Sequence, residues 1–172
     1  MKRTLIVLLS AIVLFAGEIT GGFGIKLGSK ITDHKNLKVL SKSKNEDGTL
    51  LFKVIPPKKA DFLNLYMLRT SPKSKVIYQI MGSTIYDDMS SCNSKLDFMK
   101  TALEKKYGNS QPLYHNSFKR VYLILNKNRG IVFGCENNFD NATFLIIYLD
   151  KKLEKQAIKE AVENNKKVKE VF

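Results

Sequence analysis

Six short apolar runs, each closed by turn residues and broken by only two helical stripes, constrain this chain more than any other feature. The runs are 49–55 (TLLFKVI), 62–69 (FLNLYMLR), 75–86 (KVIYQIMGSTIY), 119–125 (KRVYLIL), 131–136 (IVFGCE) and 142–149 (ATFLIIYL). Their lengths and their β-branched and aromatic content read as strands, although Leu and Met leave 62–69 ambiguous with helix. Pro56-Pro57 stops the first, because proline cannot donate to a sheet ladder. Ser71-Pro72-Lys73-Ser74 turns the chain between the second and third, and the 126–130 and 137–141 stretches are hairpin turns, Gly130 being available for positive φ. Residues 142–149 are apolar on both faces, as a central strand would be.

The helical stripes are as clear. Cys92, Leu96, Met99, Leu103 and Tyr107 share one face at 3.6-residue spacing, with caps at Asp87-Asp88 or Ser90-Ser91, lysines in the last turn and Gly108 as the stop. Asp150 caps a second helix whose buried stripe is Leu153, Ala157, Ile158, Ala161 and Val162, with a lysine-rich end at 165–172 that frays. Phe23, Ile25 and Leu27 alternate as a short first strand, while 30–48 reads as loop or weak helix. Both halves therefore run strand-strand-strand-helix, a pseudo-repeat of element order without residue identity. The expected class is α+β, an antiparallel sheet with two main helices packed on one face.

The N-terminus sets the compartment in which that domain folds. Lys2 and Arg3 precede an apolar stretch from Leu5 to Phe15, and small Ala16 and Gly17 follow, the order of a secretory signal peptide. The apolar run is shorter than the roughly 20 residues a spanning helix needs. Residues 1–17 are thus expected to be removed, after Ala16 or Gly17, leaving 18–172 as one α+β domain without a transmembrane span, periplasmic or secreted. An oxidising compartment pairs the two cysteines, Cys92 and Cys135, in a disulfide.

Cleavage lowers the formal charge from +13 by the two charges of Lys2 and Arg3, to +11. The excess sits early: Lys26, Lys30, Lys35, Lys38, Lys42 and Lys44 face only Asp33, and Lys53, Lys58, Lys59, Arg69, Lys73 and Lys75 face only Asp61. A basic field draws anionic partners. The second set is the candidate binding surface for an anionic envelope component or an acidic protein; the alternative is that the lysines merely solubilise.

Candidate chemistry is sparse. His34 and His115 have no companion at metal-ligand spacing, so no metal site is expected. Gly21, Gly22, Gly24 and Gly28 match neither a dinucleotide fingerprint nor a P-loop, so no cofactor is expected. No G-x-S-x-G elbow is present. Tyr66, Tyr78 and Tyr122 beside basic residues would suit nucleic-acid stacking, but export makes that partner unexpected.

FGIKLG soon after the signal, VIPPKKADF, SPKSKVIYQI, a cysteine opening a helix that ends LEKKYG, and the closing IIYLDKKLEKQAIKE together resemble a group of small exported bacterial proteins of uncharacterised function. The resemblance spans most of 18–172 and implies an envelope protein with the disulfide, with no catalytic residues to carry over. The expected function is a non-catalytic binding module. The alternatives are a hydrolase built around His115 and a structural envelope component.

Overall fold

The computed structural model describes residues 17–169, so all but the last residue of the expected signal segment lies outside them. A two-stranded hairpin, β1 (Gly21–Gly22) and β2 (Ile25–Lys26), and a 3-10 turn (Ile31–Asp33) lead into eight further strands and two helices. The strands are β3 (Lys38–Lys44), β4 (Leu50–Ile55), β5 (Leu65–Thr70), β6 (Ile77–Tyr86), β7 (Gln111–His115), β8 (Lys119–Asn126), β9 (Arg129–Asn138) and β10 (Asn141–Asp150). Helix α1 (Met89–Tyr107) follows β6, and α2 (Lys151–Lys169) follows β10. The class is α+β, with an antiparallel sheet and two main helices, as the pattern predicts.

The strands form one sheet in the order β3-β4-β5-β6-β10-β9-β8-β7. Each half is a four-strand meander that ends in a helix, and the halves meet where β6 pairs antiparallel with β10. The pseudo-repeat is therefore strand-strand-strand-strand-helix, one strand longer per half than the sequence suggests. The extra strands are β3 and β7, both at sheet edges and exposed at every position. An edge strand that buries nothing carries no alternation for a reader to detect. Three lysines on β3 and Pro112 on β7 also discourage pairing with another chain at those edges.

Helix α1 starts where Asp88 accepts from the Ser91 amide at 2.7 Å, which holds its carboxyl below the usual range. It ends at Gly108, whose φ of 96° only glycine adopts comfortably. Cys92, Leu96, Leu103 and Tyr107 are buried against the sheet, as their spacing requires. The Cys92–Cys135 disulfide then bolts the first turn of α1 to β9, joining the first half to the second.

Helix α2 is capped by Asp150, which accepts from the Lys152 and Leu153 amides at 3.1 Å. Its buried stripe is narrower than expected: Ala157 and Ala161 are buried, but Ile158 and Val162 are exposed. Its backbone stays helical to Lys169, where fraying was expected, and 170–172 lie outside the described residues.

One layer covers one face of the sheet. Alternate residues of β10, from Ala142 through Phe144 and Ile146 to Tyr148, are buried beneath it with Phe133 and Cys135 of β9 and Tyr66 and Leu68 of β5. Each such aromatic or aliphatic side chain contributes about 1.5–3 kcal/mol of transfer free energy. The layer comprises α1, α2 and, between them, the N-terminal hairpin. Phe23 and Gly24, both at positive φ (55° and 79°), turn this hairpin back as a type I′ turn. Phe23 is held there by edge-on contacts to Tyr66 and Tyr148 at 5.0 and 5.7 Å. A Cβ at Gly22 would lie 2.4 Å from the Tyr148 ring, so only glycine lets the hairpin sit this low. Arg129 anchors the same segment, reaching Asp150 at 3.0 Å and the Ile19 carbonyl at 3.2 Å.

Candidate functional site

The opposite face of the sheet has no helix or loop across it among the described residues. Register places its side chains in rows. One row runs Lys53, Met67, Met81, Ile147, Val132, Leu123 across β4, β5, β6, β10, β9 and β8. A second runs Leu65, Ser83, Leu145, Gly134, Val121, and a third runs Leu51, Arg69, Gln79, Leu149, Gly130, Leu125. An uncovered face of an antiparallel sheet is ordinarily polar. Here its centre is Met, Leu, Ile and Val, half-buried by one another, with Met81 buried among them.

A depression of about 250 Å³ lies beside Gly134, walled by Leu113, Tyr114, Val121, Val132 and Leu145, with Lys119 and Glu136 also in its lining. A pit of that kind can take one apolar anchor side chain. Polar groups bound the face. Lys119 and Glu136 pair at 3.0 Å on one side. On the other, Lys53 and Arg69 lie diagonally across β4 and β5, and neither makes a hydrogen bond or ion pair among the described residues. Arg69 Nε is buried without a partner. Burial works against ionisation of Asp47, but the Thr49 hydroxyl and amide, with help from the Arg69 field, hold its carboxyl below the usual range.

The six basic residues singled out from the sequence do not converge on one patch. Lys53 and Arg69 flank the open face. Lys58 and Lys59 belong to the covered side, where they line a hollow beside the N-terminal hairpin with Lys26 and Lys106. Lys73 and Lys75 occupy the β5–β6 turn, which Glu160 of α2 clamps by accepting from the Lys73 and Ser74 amides at 3.2 and 3.0 Å. The charge runs were legible, but their dispersal was not, because only strand register decides which lysines become neighbours.

Catalytic geometry is weak where the sequence looked for it. His115 ends edge strand β7, is exposed, and has no hydrogen-bond partner among the described residues. His34 is half-buried, with Nε2 2.7 Å from the Ser29 hydroxyl. The same hydroxyl lies 2.7 Å from the Lys26 carbonyl, which competes with the imidazole for its one proton. No group of three metal-ligating side chains occurs among the described residues. No helix among them is long and apolar enough to cross a membrane.

Geometry and composition together define an α+β domain with one covered and one bare sheet face. No protein family, curated protein or solved structure matches the chain.

Proposed function

We propose that this chain is an exported, disulfide-bonded binding module without a catalytic role, and that its open sheet face docks an acidic protein. The observation that carries this reading is the uncovered apolar face with two cations at its rim. Large contiguous apolar surfaces on a folded protein mark interaction sites. Interfaces of this kind combine an apolar centre, a pocket for an anchor and a polar rim. Lys53 and Arg69, neither in an ion pair among the described residues, select a partner whose matching rim carries carboxylates. They also disfavour self-association, since a second copy would bring the same cations to the interface. The expected signal peptide and the Cys92–Cys135 bond support a periplasmic or secreted setting.

The test is retention of a partner from secreted or envelope extract on the immobilised chain, at rising salt. An acidic protein should bind at low salt and elute as the Debye length shrinks from about 30 Å at 0.01 M to about 3 Å at 1 M. Ile147→Glu, in the middle of the face, and Lys53→Glu, at its rim, should each abolish retention. Retention indifferent to both substitutions places the binding surface elsewhere and refutes the proposal.

A further inference from the structure

The hollow beside the N-terminal hairpin has a chemistry of its own. It measures about 480 Å³ and is lined by Lys26, Lys58, Lys59 and Lys106, with Tyr107 and Tyr148 beneath and no acidic side chain in its wall. The four lysines come from three separate elements: the hairpin, the loop after β4 and the last turn of α1. Lys26, Lys58 and Lys59 make no ion pair among the described residues, and Lys106 lies 4.9 Å from the centre of the Tyr107 ring. Cations gathered this way repel one another unless a ligand neutralises them.

The floor points the same way. Tyr148 and Tyr107 are each only 7% exposed, and neither hydroxyl has a hydrogen-bond partner among the described residues. Neither hydroxyl is fully enclosed, so both open to solvent on the side of the hollow, with their protons free to donate. Burial, reinforced by the neighbouring Tyr107, pushes the Tyr148 phenol well above its ordinary pKa. Every charged side chain in the wall of the hollow is a cationic donor.

We infer that the hollow binds a phosphoryl group, with Lys26, Lys58, Lys59 and Lys106 supplying charge and the Tyr148 and Tyr107 hydroxyls donating from below. A phosphomonoester carries about −1.5 to −2 charges and three acceptor oxygens, which matches this donor set better than a single carboxylate does. Lysine serves phosphate as a mobile point charge. The volume falls within the range of roughly 300–1,000 Å³ usual for small-ligand sites, so it accommodates the group that bears the phosphate as well. The site lies on the covered side of the sheet and is independent of the open face.

Two sources of the phosphoryl group are separable by experiment. Isothermal titration with inorganic pyrophosphate tests a soluble ligand, and flotation with phosphatidylcholine vesicles doped with phosphatidate tests a lipid headgroup. Saturable binding to either supports the site if it weakens about tenfold in Tyr148→Phe, the usual effect of losing one charge-assisted hydrogen bond. Lys58→Gln combined with Lys59→Gln should weaken it further, while Lys155→Gln on α2 should leave it unchanged. Tyr148→Phe keeps the ring under Gly22, so an unaltered near-ultraviolet dichroism spectrum confirms that the fold survives. Binding to neither probe, or binding that persists in the double lysine variant, overturns the inference. Lys53→Glu must not affect either titration, which keeps this result distinct from the fate of the open face.

Discussion

Removing the disulfide is the perturbation whose size can be worked out most directly. Cys92 and Cys135 are fully buried and separated by 43 residues. The chain-entropy model for a loop of that length gives about 4 kcal/mol of stabilisation, through restriction of the unfolded chain. A domain of this size has about 5–15 kcal/mol in total, so the bond accounts for a quarter or more of it. Replacing both cysteines by alanine adds the loss of two buried sulfur atoms to the loop term. Comparing oxidised and reduced wild type isolates the loop, because both keep the sulfurs. With a urea dependence of about 2 kcal/mol per molar, the oxidised-to-reduced midpoint should fall by about 2 M. Cys92→Ala/Cys135→Ala should fall further, and its dependence on urea should steepen as the denatured state expands. Unfolding followed by far-ultraviolet dichroism reads all three quantities. A midpoint within about 0.5 M of the oxidised protein, well below the expected shift, would refute the claim that this bond holds the two halves together.

Three further outcomes are open to measurement, two from the geometry and one from the N-terminal sequence. Gly22→Ala drives a methyl into the Tyr148 ring 2.4 Å away, so the hairpin must lift, costing about 1–3 kcal/mol by thermal melt and exposing Tyr148 to solvent. The Glu160 carboxyl is held below its ordinary value: burial opposes this, but the Ser74 amide and hydroxyl and the Lys73 amide outweigh it. Its stabilisation is thus complete above the unfolded value of 4.5 and disappears as pH falls through the lower folded value. Glu160→Gln should therefore lose stability at pH 7 and approach wild type at a pH low enough to protonate the wild-type carboxyl. Mass spectrometry of the protein recovered from its native compartment should find Gly17 or Glu18 at the N-terminus, whereas an intact Met1 in a reduced chain would remove the basis for export.

The central strands and α1 were legible because burial forces a period on the sequence. Leu96, Leu103 and Tyr107 had to share a helical face, and Phe144, Ile146 and Tyr148 a strand face, to reach one core. Strands β3 and β7 were illegible for the converse reason, since edge strands exposed throughout satisfy no apolar pattern. Val39 and Leu40 even break alternation, at the bulge in the β3–β4 register. A second bulge, between Arg69 and Thr70, lets consecutive Ile77 and Tyr78 both be buried, which no strict period of two would predict.

The candidate site was half visible. Leu145, Ile147 and Leu149 made β10 read as apolar on both faces, correctly placing it at the sheet centre. The same signal suggests cover on both sides, yet only one face is covered. Charge was countable residue by residue, but Lys53 joins Arg69 only through the β4–β5 register, and Lys26 meets Lys58 only because a glycine hairpin folds over Tyr148. Tyr148 itself, singled out by nothing in the sequence, is the polar group at the floor of the hollow.

Site-specific photo-crosslinking tests the central claim, that the bare sheet face is where a partner docks. A photoreactive side chain at Leu145 or Ile147, in the cells that make this protein, should yield an adduct to another, acidic protein. The adduct should fade when Lys53→Glu and Arg69→Gln are added, and the same probe at Lys155 on the outer side of α2 should give none. Silence at Leu145 and Ile147, or equal labelling from Lys155, would contradict the account.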